Sequence, residues 1–114
     1  MPYYRNWDIV VVPSLLTDQK TNKVRPAVIV STDILLQRNG KYIVTMITSA
    51  KNAAQYGDVS ISELSAAGLP IASVVRASKV AVIEDQDILK RVGTHHTADR
   101  TLFTGQLREY LVGD

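Results

Sequence analysis

The sequence predicts a mostly β protein, a small closed or nearly closed β-barrel followed by one helix. Short apolar runs rich in β-branched residues recur along the chain, as in Ile9–Val12 and Ala27–Val30. Turn signals such as Asn39-Gly40 separate them. Apolar residues at helical spacing extend from Phe103 to Leu111, close to the end of the chain. Short strands followed by a single helix are typical of small barrels.

Length and composition limit the class of protein. The 114 residues predict one domain, 1–114, and 46% apolar with 21% charged residues is typical of a soluble globular chain. With no long apolar run and no apolar signal region at the start, we expect a cytoplasmic protein without a membrane span. The chain has no cysteine, which excludes disulfides and thiolate chemistry. A net charge of +2 does not by itself indicate a nucleic-acid partner, although a local basic patch could bind one.

The first strand is predicted at Trp7–Pro13, which contains four successive β-branched residues and ends in a proline. The polar segment Ser14–Val24 reads equally well as a solvated hairpin tip or as a flap over a site. The second strand is predicted at Arg25–Ser31. Its apolar run Ala27–Val30 indicates burial on both faces, and Pro26, which lacks an N–H, belongs at a strand start.

The remaining elements follow from apolar runs for strands and from capping residues, glycine or proline for helix ends. Strands are expected at Tyr42–Thr48, Asp58–Ile61 and Ile71–Glu84. Helical turns are expected from Thr32 or Asp33 to Leu36, at Ser62–Ala67 with Ser62 as cap and Gly68 as stop, and at Asp85–Arg91 before Gly93. A final helix is expected from a cap at Thr97 or Asp99 to about Val112, with an apolar face of Phe103, Leu107, Tyr110 and Leu111 packed on the sheet.

Neither a metal site nor a cofactor is predicted. His95 and His96 are the two histidines, and adjacent side chains do not share a face of a helix or strand. No cluster of Asp or Glu lies near them in sequence. A glycine-rich phosphate loop and a Gly-x-Ser-x-Gly nucleophile elbow are also missing from the sequence.

One set of residues suits a phosphodiester. Arg25, the pair Thr48 and Ser49, and Arg76 all lie at or near predicted strand ends, where side chains can converge on one rim of a barrel. Guanidinium groups hold phosphate oxygens bidentately, and hydroxyls donate a hydrogen bond to developing charge. Taken alone, Arg25 fits an ordinary ion pair at least as well, so these residues by themselves name no reaction.

The same segments resemble the MazF/PemK (Kid-like) toxin family of bacterial type II toxin–antitoxin systems, whose members are endoribonucleases. The order and approximate spacing agree over nearly the whole chain. The matching segments are Asp8–Pro13, Lys23–Ser31, Ile47-Thr48-Ser49, Gly68-Leu69-Pro70 and Ser73–Arg76.

The resemblance implies a small SH3-like β-barrel of the MazF/PemK/CcdB type that forms a homodimer. It implies an mRNA interferase, which cleaves single-stranded RNA at a short sequence without a metal ion. In that reaction the ribose 2′-OH attacks the neighbouring phosphorus and leaves a 2′,3′-cyclic phosphate and a 5′-OH. It also implies a small, partly disordered antitoxin partner, acidic where it meets the basic site.

By this resemblance Arg25 and Thr48 match the family's catalytic arginine and hydroxyl. Arg76 matches a second arginine, which would neutralise the phosphate or assist the leaving 5′-oxygen. Ser49 and Ser78 are expected to contact the substrate. The loop Ser14–Val24, through Lys20 and Lys23, is expected to cover the RNA, and Tyr3, Tyr4 and Trp7 could stack on bases, although packing against the barrel is the better expectation for these rings.

Two positions depart from the family pattern. Trp7 stands where the family usually has a glycine before Asp8, and Ser78 stands where Kid-like members carry an acidic residue. A serine is not a general base unless another base activates it, so Asp58 and Glu84 are the candidates to replace that acid.

Two other functions fit the same fold. A CcdB-like toxin would bind DNA gyrase through a tryptophan near the end of the last helix, but the one tryptophan here is Trp7. A non-catalytic binding module that keeps the barrel and the antitoxin groove is consistent with Ser78.

Overall fold

A computed structural model describes residues 4–13 and 23–113 of the chain. Within these residues the strands are β1 (Asp8–Pro13), β2 (Val24–Ile29), β3 (Tyr42–Ser49), β4 (Asp58–Ser60), β5 (Ser73–Ile83) and β6 (Lys90–Thr94). The helices are α1 (Asp33–Asn39), α2 (Leu64–Ala67) and α3 (Thr97–Leu107), and α3 continues as a π-helical turn at Arg108–Val112. A 3₁₀ turn, Asp85–Asp87, links β5 to β6. The predicted class, mostly β with a C-terminal helix, is confirmed.

The six strands form one antiparallel sheet in the order β4-β5-β3-β2-β1-β6. Register follows the apolar runs: Ile9 pairs with Val28, and Ala27 with Met46. No helix in the described residues is long and apolar enough to cross a membrane.

Both faces of the sheet are buried, as the continuous apolar runs predict. On one face lies the Phe103 cluster, with Ile9, Val28, Ile47 and Val75. On the other lies the Tyr42 cluster, with Val10, Ala27, Ile29, Val44 and Met46. Successive residues of β1, β2 and β3 therefore alternate between the two clusters, which assigns a face to every side chain on these strands.

The short helix α2 bridges the two edge strands. It follows β4 in sequence and packs on β6. The approach is close enough to require glycine: a Cβ on Gly93 would lie 2.3 Å from the carbonyl carbon of Ala67, and one on Gly68 would lie 2.0 Å from the oxygen of Val92. Gly68 also ends α2 with φ 72°, as predicted for a helix stop. Backbone packed on backbone here nearly closes the sheet.

Two local predictions are wrong. Residues 90–91 and Gly93 form β6, paired with β1, instead of a helical turn and its end. The charged residues and the glycine of this segment do not form the apolar pattern that predicts a strand. In the structure, Arg91 forms an ion pair with Asp8 of β1 at 3.0 Å. Ser62 does not cap α2, whose N-cap position is Glu63 without a side-chain hydrogen bond.

The N-terminal cap of α3 also differs from the prediction. The cap is His96, whose Nδ1 accepts a hydrogen bond from the N–H of Ala98 at 3.1 Å, instead of Thr97 or Asp99. Asp99 is buried and accepts hydrogen bonds from Ser62 and Glu63, which fastens α3 to the segment before α2.

Within the predicted apolar stripe, Phe103 is buried and Leu107 is half-buried in the Phe103 cluster. Tyr110 and Leu111, in contrast, are exposed. The π-helical turn changes the period of the helix here, so these two side chains leave the stripe.

Trp7 has φ 74°, the one positive φ among described residues other than glycine. This conformation is costly for a bulky residue and explains why relatives are expected to carry glycine there. The Trp7 carbonyl accepts the N–H of His95 at 2.8 Å, and its ring lies 5.7 Å from that of His95 and 5.6 Å from the Arg100 guanidinium carbon. Packing and cation–π contact offset the strain, and Trp7 is built into the barrel. Tyr4 likewise packs edge-on against Tyr42, whereas Tyr3 lies outside the described residues.

Candidate active site

A cavity of about 50 Å³ opens between β2, β3 and β5, lined by Arg25, Met46, Ile47, Thr48, Arg76 and Lys79. It has room for a few water molecules or one phosphate group. The structure thus brings Arg25, Thr48 and Arg76 together. It adds Lys79, which sequence reasoning did not include.

Strand alternation explains why Arg25 and Thr48 meet. Arg25 lies two residues before Ala27, and Thr48 two residues after Met46; Ala27 and Met46 both belong to the Tyr42 cluster. Side chains two apart on a strand share a face. Both polar side chains therefore continue the face of the Tyr42 cluster to its rim.

A bulge in β5 brings Arg76 and Lys79 to that same face. Thr45 pairs with Val80 and Ile47 with Val75, so Met46 alone stands opposite residues 76–79. Before the bulge the odd-numbered Val75 belongs to the Phe103 cluster, and after it the odd-numbered Ile83 belongs to the Tyr42 cluster. In a regular strand, residues three apart would point to opposite sides; the bulge reverses the faces and lets both cations line one cavity.

Arg76 is held by a two-point contact with Asp58, its direct cross-strand partner. Arg76 Nε donates to Asp58 Oδ1 and Nη2 to Oδ2, each at 3.0 Å, and Nη2 also donates to the Ala53 carbonyl at 2.9 Å. The side chains of Arg76 and Asp58 are only 13% and 9% exposed. Among the described residues, the third nitrogen, Nη1, takes part in none of these hydrogen bonds.

The ion pair decides the charge state of both groups. The hydrogen bond to Asp58 raises the pKa of Arg76 above its usual value. Burial favours the neutral form of Asp58, but hydrogen bonds from Arg76 and from the Gln55 N–H outweigh it and lower the pKa of the carboxyl. Arg76 is therefore a fixed cation, and Asp58 a weak base already committed to it.

Thr48 is oriented from outside the cavity. Asn52 Nδ2 donates a hydrogen bond to Thr48 Oγ1 at 2.6 Å. Because the oxygen accepts this bond, its own hydrogen is available to an acceptor in the cavity. Asn52, in the turn after β3, is a second site residue that no sequence pattern indicates.

The predicted substrate residues Ser49, Ser78 and Lys23 are not among the described residues that line this cavity. Ser49 accepts a hydrogen bond from the Lys51 N–H at 3.4 Å, and the exposed Ser78 donates to Gln55 at 3.3 Å. Lys23 is exposed at the start of the second described segment. Lys20 and the loop Ser14–Val24, up to residue 22, lie outside the described residues.

The other candidate base, Glu84, does not reach the site. It pairs with Lys41 beside the far end of β3. Among residues 4–13 and 23–113, no three His, Asp or Glu side chains gather as a metal site. The described lining thus offers three cations and one hydroxyl, which suits binding an anion with several oxygens.

The chain is similar to one known protein family over most of its length. A family model described as "PemK-like, MazF-like toxin of type II toxin-antitoxin system" matches residues 5–111. Among curated protein sequences, none matches.

Solved structures of similar fold include MazE–MazF from Deinococcus radiodurans, with 15% identity, TM-score 0.75 and coverage of 100% of both chains. Mycobacterium tuberculosis toxin MazF-mt6 has 17% identity and TM-score 0.73 over 94% of this chain and 98% of its own. A mycobacterial endoribonuclease in complex with its cognate antitoxin has 12% identity and TM-score 0.74 over 96% of this chain and 95% of its own. At these identities the likeness shows the fold.

Proposed function

Because this chain belongs to the PemK-like, MazF-like toxins of type II toxin–antitoxin systems, we propose that it is a metal-independent endoribonuclease that cuts single-stranded RNA at a short sequence. The observation that carries the proposal is the shared cavity of Arg25, Thr48 and Arg76. The products would be a 2′,3′-cyclic phosphate and a 5′-OH. Two of the structural neighbours are themselves described as endoribonucleases.

The nucleophile of this reaction is part of the substrate, so the enzyme has to align it and stabilise charge. Arg25 binds the scissile phosphate as its charge develops. Thr48, with its oxygen held by Asn52, donates its hydrogen to a non-bridging oxygen. Arg76 presents Nη1 to the phosphate while Asp58 holds its other two nitrogens.

The proton of the 2′-OH has no strong acceptor among the described lining residues. Asp58 is paired with Arg76, and Ser78 points to Gln55. Water is therefore the acceptor we assign, and alignment and charge stabilisation supply the rate enhancement. This assignment predicts a modest rate compared with relatives that have an acid at the position of Ser78.

The test is cleavage of a long, lightly structured RNA in EDTA, with the ends mapped. Arg25→Ala and Thr48→Ala should each lose about 10²–10³-fold in rate, the usual cost of removing one preorganised donor. Arg38→Ala is the matched control, because Arg38 is an exposed arginine in the last turn of α1. Cleavage by both site variants at the wild-type rate would overturn the proposal.

An inert wild type would favour the alternative, a non-catalytic or CcdB-like toxin that binds a protein. A gyrase-inhibition assay would then separate these two.

The proposal includes two protein partners, a second copy of the chain and a cognate antitoxin, in the cytoplasm where RNA is available. Structural neighbours include MazF with MazE and an endoribonuclease with its cognate antitoxin. An acidic antitoxin segment would be attracted by Arg25, Arg76 and Lys79 and would exclude RNA. Size measurement of the purified chain, alone and co-expressed with a candidate antitoxin, tests both partners.

A further inference from the structure

We propose that Lys79 is the general acid of this site: its ammonium gives a proton to the 5′-oxygen that leaves when the RNA chain is cut. The inference rests on the proposed ribonuclease function. It starts from the bulge in β5, where residues 76–79 stand opposite Met46 alone and place Lys79 in the cavity of Arg76. Bulges are common next to active sites because they re-aim a side chain.

The chemistry of the lining selects Lys79. A leaving alkoxide needs a proton, and an arginine side chain does not release one in proteins. Arg76 is even less able to release a proton, because its ion pair with Asp58 stabilises the charged guanidinium. A threonine hydroxyl is a poor acid, and here it is assigned to the phosphate. Lys79 is the remaining described polar side chain of the lining, and a lysine ammonium carries three transferable protons.

The 2′-oxygen forms a bond to phosphorus and releases its proton to water. The bond between phosphorus and the 5′-oxygen breaks, and its electron pair stays on the 5′-oxygen, which takes a proton from Lys79 Nζ. The neutral amine then takes a proton from water, so that the enzyme is regenerated and the net products are the cyclic phosphate and the 5′-OH.

The experiment compares a cleavable RNA with the same RNA carrying a bridging 5′-sulfur at the scissile phosphate. A thiolate leaves without a proton, so it does not need a general acid. Lys79→Met should cut the ordinary RNA about 10²-fold or more slowly but cut the sulfur substrate near the wild-type rate. Lys79→Arg, which keeps the charge but cannot release a proton, should behave in the same way.

Two controls make the result specific. Arg25→Ala should be slow on both substrates, since it acts on the phosphate itself. Lys41→Met should cut both at the wild-type rate, because Lys41 precedes the far end of β3 and pairs with Glu84.

Ordinary RNA cleaved by Lys79→Met at the wild-type rate, or an equal loss on both substrates, would overturn the assignment while leaving the ribonuclease function intact. A wild type that cuts neither substrate would overturn the ribonuclease function.

Discussion

Acidification between pH 7 and pH 5 should destabilise the fold through one buried imidazole. His95 is fully buried, with its ring 5.7 Å from those of Trp7 and Phe103. Neither ring nitrogen has a hydrogen-bond partner among the described residues. Burial lowers the pKa of His95 from 6.5 to about 4; Asp99 opposes this shift and Arg100 reinforces it.

The direction of this pH effect on stability follows from the number of protons that the folded and unfolded chains bind. Because the folded pKa lies below the unfolded one, the unfolded chain binds more protons between pH 6.5 and pH 4, and stability falls as the pH falls through this window. With these two values, the loss from pH 7 to pH 5 is about 2 kcal/mol. The carboxyls of Asp58 and Asp99, whose pKa values are lowered from 3.8, lose their contribution below this range.

Urea unfolding at pH 7 and pH 5 measures the effect. His95→Leu, of similar size and unable to ionise, should lose most of the difference between the two pH values. His96→Asn is the matched control, because asparagine can still cap α3 and the buried imidazole remains; it should keep the wild-type difference. An unchanged pH dependence in His95→Leu would refute the reasoning.

Three further predictions concern packing and the site. Asp58→Asn should lower RNA cleavage about tenfold or more with circular dichroism unchanged, since Arg76 loses its two-point contact; wild-type cleavage would show that the pair is not needed. In urea unfolding, Gly93→Ala should lower the free energy of unfolding by about 3 kcal/mol, because the new methyl group overpacks the contact with α2. Gly105→Ala, in open space on α3, should raise it by about 1 kcal/mol. Similar effects of the two substitutions would contradict the close approach at Gly93. The free energy of unfolding of Trp7→Gly should be about 1–2 kcal/mol higher than that of Trp7→Ala, because glycine adopts φ 74° without strain. Equal stability of the two variants would argue against backbone strain at this position.

The sequence was sufficient for the elements that depend on apolar runs. The strands β1, β2 and β3 are close to their predicted bounds, because a chain segment buried on both faces must be apolar throughout. The sequence failed at β6, where Arg91 is used for an ion pair and Gly93 for a close approach to α2. These two roles depend on neighbours far away in the chain.

The residues of the candidate site also fall into those that a local sequence pattern predicts and those that depend on distant parts of the chain. Alternation along β2 and β3 is a local property, so the common face of Arg25 and Thr48 was open to prediction. Lys79 lines the cavity because of the register shift between β3 and β5, and no local sequence pattern predicts that shift. The sequence suggests Asp58 as a base, whereas the two hydrogen bonds that it accepts from its cross-strand neighbour Arg76 fit the proposed role of holding that arginine.

The short edge strand β4 has a consequence for how the protein fluctuates. It is three residues long and pairs with β5 alone among the described strands, yet it carries the carboxylate that orients Arg76. Edge segments with few backbone hydrogen bonds open at a lower free energy than the global unfolding of the core. In native-state hydrogen exchange, the amides of β4 should therefore exchange long before those of β2 and β3. Each such opening would separate Asp58 from Arg76, so the arrangement of the proposed site would be lost in a locally open state that leaves both hydrophobic clusters folded.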